Sequence, residues 1–460
     1  MIVNTGNSST SATEANSLIT NLLKYPEISP VVTDLFPQYS LNYFMENTKK
    51  YAKEVEYGSN SVSWFLKGRR SRPSIIDPAY TGSATAGAGN TAFVVDFAPG
   101  ELHLYPKAVV RFPGEVNAWV ESISGLQVTF RLQDNSSTPA TVDLSAPGGM
   151  TVGIIGNMNE EGSARGYGNQ TFPDQYTNYM GIYRQEMEIT GDALTDKLWI
   201  EYNGQALWYH RQFAEWMEEI EYERELARIY MHATMNNAGV AFQYEPVSGK
   251  PLIHGDGLLK QIGLNNVDTY SGASLSESQI TTFLAALSMN TGQGQEYLVL
   301  GGTAGILAFE NAMKAYAPSF GAQFAMSGGG NVTLGANYRS FVGFNTKLTI
   351  AHNPCFDDVN IHGNDMVTNA FGVYPRESYR LLFLNVGKQG VSNFNLEMAV
   401  KSAGGINRGR VIKYVNGMID PMNPSSMYAA SGDDKFKIEY LSHTALVLRN
   451  PWSCGMLVHA

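Results

Sequence analysis

The spacing of apolar positions shifts along the chain, and each shift predicts a different kind of element. Residues 1–17 are Asn, Ser and Thr with few apolar anchors, the pattern of a flexible arm. Leu18–Lys24 and Leu41–Glu56 carry enough spaced apolar residues for short helices, and Gly82–Asn90 reads as a flexible loop. From 93 to 152 the period drops to that of strands. Phe93–Phe97, Lys107–Arg111, Val116–Ile123, Leu126–Leu132, Thr141–Leu144 and Met150–Ile155 are separated by Gly, Pro and Asn, as at Ser124-Gly125 and Pro147-Gly148-Gly149. Short strands with turn signals this frequent predict a compact β barrel or sandwich of its own.

Residues 156–192 have little periodic apolar content and are rich in Gly, Asn, Gln and Tyr. Such a stretch cannot form its own core and predicts a long extended hairpin or loop. Gln205–Asn236 then reads as one long helix, ~48 Å at ~1.5 Å per residue. Phe213, Trp216, Met217, Ile220, Ala227 and Met231 make one apolar stripe, and Trp208, Tyr222, Leu226 and Ile229 a second on roughly the opposite side. Glu215, Glu218, Glu219, Glu221, Glu223 and Glu225 lie between them. Two stripes imply two packing partners: the protein's own sheet, and either a second internal layer or another subunit. Further on, Glu277–Met289 and Thr303–Tyr316 predict helices. The strand Tyr297–Leu300 before the second makes a βα unit and places an α/β domain over about 262–394. Strand patterns return at Arg410–Val415, Phe436–Tyr440 and Ala445–Leu448. No internal repeat is evident.

Composition narrows the class. Charged residues are 16% of the 460 and glycines number 46, against roughly 25% and 7% in ordinary globular chains. That excludes a coiled coil, a collagen and a charge-rich disordered protein. With 25 Tyr, 21 Phe and 6 Trp, much nominal surface is expected to meet other protein. A net charge of −10 argues against a duplex-DNA binder, which needs a basic patch; the densest basic run, Lys67 to Arg72, is short. Two distant cysteines, Cys355 and Cys454, form no disulfide framework and fit a reducing compartment. No signal peptide, membrane-spanning stretch or cleaved N-terminal segment is expected.

The candidate chemistry is thin. Gly301-Gly302-Thr303 between strand and helix could seat a phosphate on a helix N-terminus. It lacks the G-x-G-x-x-G spacing and a following Lys-Ser/Thr, so a βα turn with Thr303 as N-cap is the better reading. His352, Cys355, Asp357, Asp358 and His362 are metal-ligating types, but their spacing matches no common zinc site, and His254-Gly-Asp256 is weaker still. No hydrolase elbow, H-E-x-x-H or EF-hand loop appears. No cofactor and no metal are expected. Six glutamates so close on one helix look like a face to be neutralised, with Arg165 and Arg184 of the polar stretch as partners across subunits.

The order of segments resembles the major capsid protein of tailed bacteriophages, with its HK-97-type fold. The resemblance is most specific over Gly149–Glu225: a glycine turn at Gly149, the apolar strand Val152–Ile155, Glu161-Gly162, Asn178, Ile182-Tyr183, Thr190-Gly191, then a long acidic helix. Gly181 stands where that group often has Gln. Phe341-Val-Gly343, the strand Lys347–Ile350 before Pro354, and the ending Leu446 to Pro451 resemble later strands of the fold. Size and Asn/Tyr richness point to a crAss-like phage. The resemblance implies an α+β chain with an N-terminal arm (1–92), an inserted small β-barrel-like domain (93–152), an extended E-loop (153–195), a peripheral domain with a spine helix (196–261), an α/β axial domain (262–394) and closing strands of the peripheral domain (395–460).

It also implies a non-enzymatic subunit of an icosahedral virion, built of hexamers and pentamers and assembled in the host cytoplasm. A portal and auxiliary head proteins would be further partners, with DNA enclosed but not gripped and no membrane involved. Contacts between subunits would come from Arg165, Tyr167, Phe172, Tyr176, Tyr179, Tyr183 and Arg184 of the loop. On the helix they would come from Trp208, Glu215, Glu218, Glu219, Tyr222 and Leu226. The main alternative is an α/β nucleotide-binding enzyme with a β-barrel appendage. A cargo-enclosing compartment and a tail fibre fit less well, since the β insertion is large and repeats are absent.

Overall fold

A computed structural model describes residue 41 and residues 52–460. It leaves out 68–72, 82–84, 87–91, 113–114, 134–140, 143, 145–148, 163–165, 167–171, 196, 203–204, 237, 264–265, 272–273, 290–294, 317–339, 344–345, 390–392, 419 and 421–426. The helix expected at Leu18–Lys24 and the arm of residues 1–17 lie outside the described residues. The chain forms two compact units, one of residues 1–64 with 177–460 and the other of Phe65–Tyr176.

The first unit holds two six-stranded sheets and several smaller strand pairs. In the first, the strand Lys435–Leu448 is central. It pairs antiparallel with Gly181–Thr190 over its first ten residues, and with Leu396–Ala403 and Val411–Asn416 on its other side. Ala52–Tyr57 adds to Leu396–Ala403 in parallel. Two expectations are corrected here. Ala52–Tyr57 is a strand, not the end of a helix, because Glu54, Val55 and Glu56 alternate at period two along a ready sheet edge. Residues 181–190 are a sheet strand and not loop: Met187 and Ile189 point into the core while Glu186 and Glu188 point out. Only every second residue there is apolar, so the polar face hid the strand.

The second sheet runs 267–270, 455–459, 381–385, 295–301, 346–352, 340–343. Gln295–Gly301 is parallel to Thr346–His352 and antiparallel to Leu381–Asn385. Its run Tyr297-Leu298-Val299-Leu300 is wholly apolar because both faces are covered. Tyr297 and Val299 pack under the helices Glu277–Ser288 and Thr303–Tyr316. Leu298 and Leu300 face a core shared with the long helix and with Leu396, Met398 and Leu446 of the first sheet. The Glu277–Ser288 helix is closed by a capping box. Ser276 Oγ accepts the Gln279 N–H at 3.2 Å, and Gln279 Oε1 accepts the Ser276 N–H at 3.1 Å. The last strand, Gly455–His459, belongs to this second sheet. The closing segment 395–460 is therefore divided between the sheets, contrary to expectation, since Met456 and Leu457 alternate between its two cores.

The second unit is a six-stranded antiparallel sheet in the order 74–75, 151–157, 108–112, 116–124, 127–132, 92–96. Its end strands are bonded to each other, with Asp77 N–H to Asp96 O at 3.0 Å and Ala98 N–H to Ile75 O at 3.0 Å. Closing the sheet on itself covers the edges that these two strands would otherwise leave open to aggregation. Phe93, Phe112 and Phe130 meet in its core with ring centroids 5.3 to 5.7 Å apart. The tight turn of its longest hairpin needs Gly125, at φ +63°. Residues 74–75 join this sheet, and 52–57 join the first. The expected arm of 1–92 is thus shorter than the sequence implied. Thr141–Val142 pairs instead with Thr85–Ala86, inside the expected loop. Ser61–Leu66 and Asp174–Tyr179, the two strands along which the chain passes between units, pair with each other.

Candidate assembly surfaces

The long helix spans Trp208–Tyr230, three residues shorter than expected at its start and six at its end. Its first half lies on the first sheet: Phe213 and Trp216 pack with Met187, Ile189, Phe436 and Ile438. Its second half enters the shared core, where Ile229 is buried and Tyr222, Leu226 and Tyr230 pack beside it. The second apolar stripe therefore meets an internal layer. Tyr222 and Leu226, expected at a subunit contact, face the chain's own interior, and the Tyr222 hydroxyl donates to Asp358.

Glutamates of the helix also find partners within the chain, some buried and some at its surface. Buried Arg224 donates from Nη1 to both Glu221 carboxylate oxygens, at 2.8 and 2.7 Å, and its guanidinium lies 6.0 Å from the Tyr440 ring centre. A buried cation needs that pairing. Glu223 accepts from Gln185 Nε2. Glu225, fully buried, accepts the Leu41 N–H at 2.8 Å and Asn353 Nδ2 at 2.7 Å. Glu215, Glu218 and Glu219 are exposed. Trp208 opens the helix, and its side chain falls outside the described set.

The loop residues divide similarly. Arg165 and Tyr167 lie outside the described residues. Phe172 is 76% exposed, Arg184 is exposed and Tyr176 half-buried. Tyr179 is buried and donates to Asn236 O at 2.7 Å. Tyr183 is half-buried with its hydroxyl on His254 Nε2, and desolvation pushes that phenol up to about 12. Beside them Asn178 fills every hydrogen-bonding position it has. Nδ2 donates to Leu446 O (2.8 Å) and Asp256 O (3.1 Å), and Oδ1 accepts the N–H of Asp256 (2.8 Å) and Tyr179 (2.9 Å). Gly181 has no room for a side chain, since a Cβ there would stand 2.7 Å from the His254 ring.

The Gly301–Thr303 turn is already occupied. The Asp357 carboxylate accepts the Thr303 N–H at 2.9 Å and the Thr303 hydroxyl at 2.7 Å, together with the Ser378 hydroxyl and a His352 contact at 2.6 Å. Burial alone would raise this carboxyl; the hydrogen bonds from His352, Ser378 and Thr303 outweigh it and hold it below the ordinary value. Asp357, rather than Thr303 as expected, caps the helix. Its carboxylate stands where a phosphate would bind, and a Cβ at Gly302 would lie 2.6 Å from Ser378 O. Cys355 is buried, and burial raises its thiol. His362 lies 3.3 Å from the Tyr230 hydroxyl. Among the described residues no three His, Cys, Asp or Glu side chains converge to hold a metal, and no helix is long and apolar enough to cross a membrane.

Among the described residues, the surface offers an acidic helix face and exposed aromatics, features suited to contact with other protein. With its α+β architecture, that is the make-up expected of an HK-97-type shell subunit, a structural protein. The chain belongs to the Crassvirus major capsid protein family, whose model matches residues 2–460, and it is therefore a structural shell subunit of a phage head.

Distant likenesses among solved structures include the capsid of a native GTA particle (11% identity, 98% of this chain and 100% of that one, TM-score 0.39). Mycobacterium phage Bobi is another (10%, 98% and 99%, TM-score 0.38). A third is the SrpI encapsulin of Synechococcus elongatus PCC 7942 (9%, 62% and 75%, TM-score 0.33). No curated protein matches the sequence. The conclusion rests on the family match.

Proposed function

We propose that copies of this chain close into an icosahedral shell of hexamers and pentamers around the double-stranded DNA of a tailed phage, assembled in the host cytoplasm. A portal and auxiliary head proteins are its further partners. The segment before Leu41 is the tether to a neighbour. The unit 65–176 is a domain inserted within the E-loop, whose stem is the paired strands Ser61–Leu66 and Asp174–Tyr179. The first sheet with the long helix is the peripheral domain, and the second sheet with its helices is the axial domain. Contacts between subunits fall to Arg165, Tyr167, Phe172, Tyr176 and Arg184, and to Glu215, Glu218 and Glu219 of the helix.

The observation that carries this reading is the family match over residues 2–460. The exposure of Phe172, Arg184 and the three glutamates supports the choice of contacts. A net charge of −10 supports enclosure of DNA without tight binding, because a lining that gripped phosphate would stall packaging. Many modest contacts add through multivalency into a durable shell. Negative-stain imaging of the purified chain or of virions tests it. Icosahedral particles are expected, and dispersed small species that bind ATP would reverse the reading toward a nucleotide enzyme.

A further inference from the structure

Immediately after the long helix the chain folds into a compact finger, Met231–Gly257, whose backbone is satisfied from within. The Gly257 N–H donates to Met231 O at 2.7 Å, Thr234 to His254 O at 3.1 Å, Phe242 to Thr234 O at 3.1 Å and Leu252 to Gln243 O at 3.0 Å. Three short lengths of chain therefore lie side by side. The turns between them are built too. Asn236 Oδ1 accepts the N–H groups of Ala238 and Val240 at 3.0 and 2.9 Å. The Glu245 carboxylate accepts those of Val247, at 3.1 Å, and Ser248. Gly239 and Gly249 take the positive φ that the turns demand, +80° and +64°. The base is pinned by Asp256 Oδ1, which accepts the Ala233 N–H at 2.8 Å, and by the Tyr179 hydroxyl on Asn236 O.

This ordered backbone presents apolar side chains to solvent. Val240, Phe242, Tyr244, Val247 and Leu252 are all exposed, from 48% at Leu252 to 94% at Val247. A cluster of that kind marks an interaction site. Because the finger is already ordered, burying it against a partner costs little conformational entropy.

The occupant follows from charge and from the partner the family establishes. The finger's two carboxylates are engaged by its own backbone, and Lys250 is its one lysine or arginine, so it offers nothing to phosphate. Copies that each carry −10 repel at long range, and a nearly neutral apolar finger is where two of them can touch without a like-charge penalty. We infer that the Met231–Gly257 finger is a self-association element that seats its apolar tip on a neighbouring copy of this chain. The inference rests on the shell-subunit reading and names a contact that reading did not include.

Full-length chain with p-benzoylphenylalanine in place of Val247, mixed from light and heavy nitrogen-labelled copies, is assembled and irradiated. Cross-links joining light to heavy chains are expected. In parallel, the Phe242→Asp, Val247→Asp double variant should lower particle yield by about tenfold or more, as loss of a central apolar anchor does. Both side chains are exposed, so the melting temperature of the unassembled chain should not move. Cross-links confined to one chain, or reaching only another head protein or DNA, would overturn the inference, as would normal particles from the double variant. If the unmodified chain forms no particles under the same conditions, the shell reading fails instead.

Discussion

Asn178 shows how much one buried side chain can hold. Its four hydrogen bonds join the strand Asp174–Tyr179, the central strand at Leu446 and the segment at Asp256. Asn178→Ala strands several buried backbone groups at once, each costing ~1–3 kcal/mol. A loss of at least about 3 kcal/mol in denaturant unfolding is expected, and a loss below about 1 kcal/mol would show that water replaces the amide.

His443 acts in the opposite direction. It is buried. Desolvation first, then the charges of Arg408 and Lys401, push its imidazole down to about 4, against a smaller opposing hydrogen bond with the Met180 backbone. The unfolded chain therefore takes up a proton near pH ~6.5 that the folded chain refuses, and stability falls as the pH drops from there toward 4. His443→Leu should flatten the stability–pH curve in that window. An unchanged curve would assign the pH dependence to other groups.

At the scale of elements, the long helix is both a core element and a surface. Glu225 and Tyr222 tie its second half to the chain's interior, while Glu215, Glu218 and Glu219 are exposed. The proposed contact pairs that face with the arginines of the polar stretch in a neighbouring copy. Glu219→Arg and Arg184→Glu, made separately, should each impair assembly while thermal unfolding of the free subunit stays within a few degrees of the parent, because exposed charges contribute little to folding. Sedimentation and particle counts check the first point and calorimetry the second. Normal assembly by both variants would dispose of the pairing.

At the scale of the whole molecule, each unit has its own core. The β unit closes its sheet on itself around Phe93, Phe112 and Phe130, and among the described residues its core is drawn from within 65–176. The fragment 65–176 is expected to fold alone and melt in one cooperative transition. A fragment that binds hydrophobic dye and shows no transition would mean that this core needs the rest of the chain. The other unit depends on long-range pairing, since Ala52–Tyr57 and Leu396–Ala403 become neighbours only in the folded chain. Such contacts form late and slowly.

The sequence by itself determined the elements whose pattern is complete within a short window. The β-unit strands, with Val116, Ala118 and Val120 turned inward, were legible at period two. The long helix, the Glu277–Ser288 helix and the βα unit at Gln295–Gly301 were legible from local spacing. The specific motif run over Gly149–Glu225 made the family legible.

Tertiary structure alone decided which polar residues are spent inside. Nothing in the spacing of six glutamates separates Glu225, which Leu41 and Asn353 reach from far along the chain, from exposed Glu219. It also decided that Gly181–Thr190 is a strand of the first sheet, and that the apolar finger after the long helix is closed by its own backbone hydrogen bonds. Both depend on partners distant in sequence or on a backbone closed on itself. A one-dimensional pattern records what a residue prefers, whereas the backbone hydrogen bonds of a strand and the charge of a buried acid are satisfied only by groups that folding brings to them.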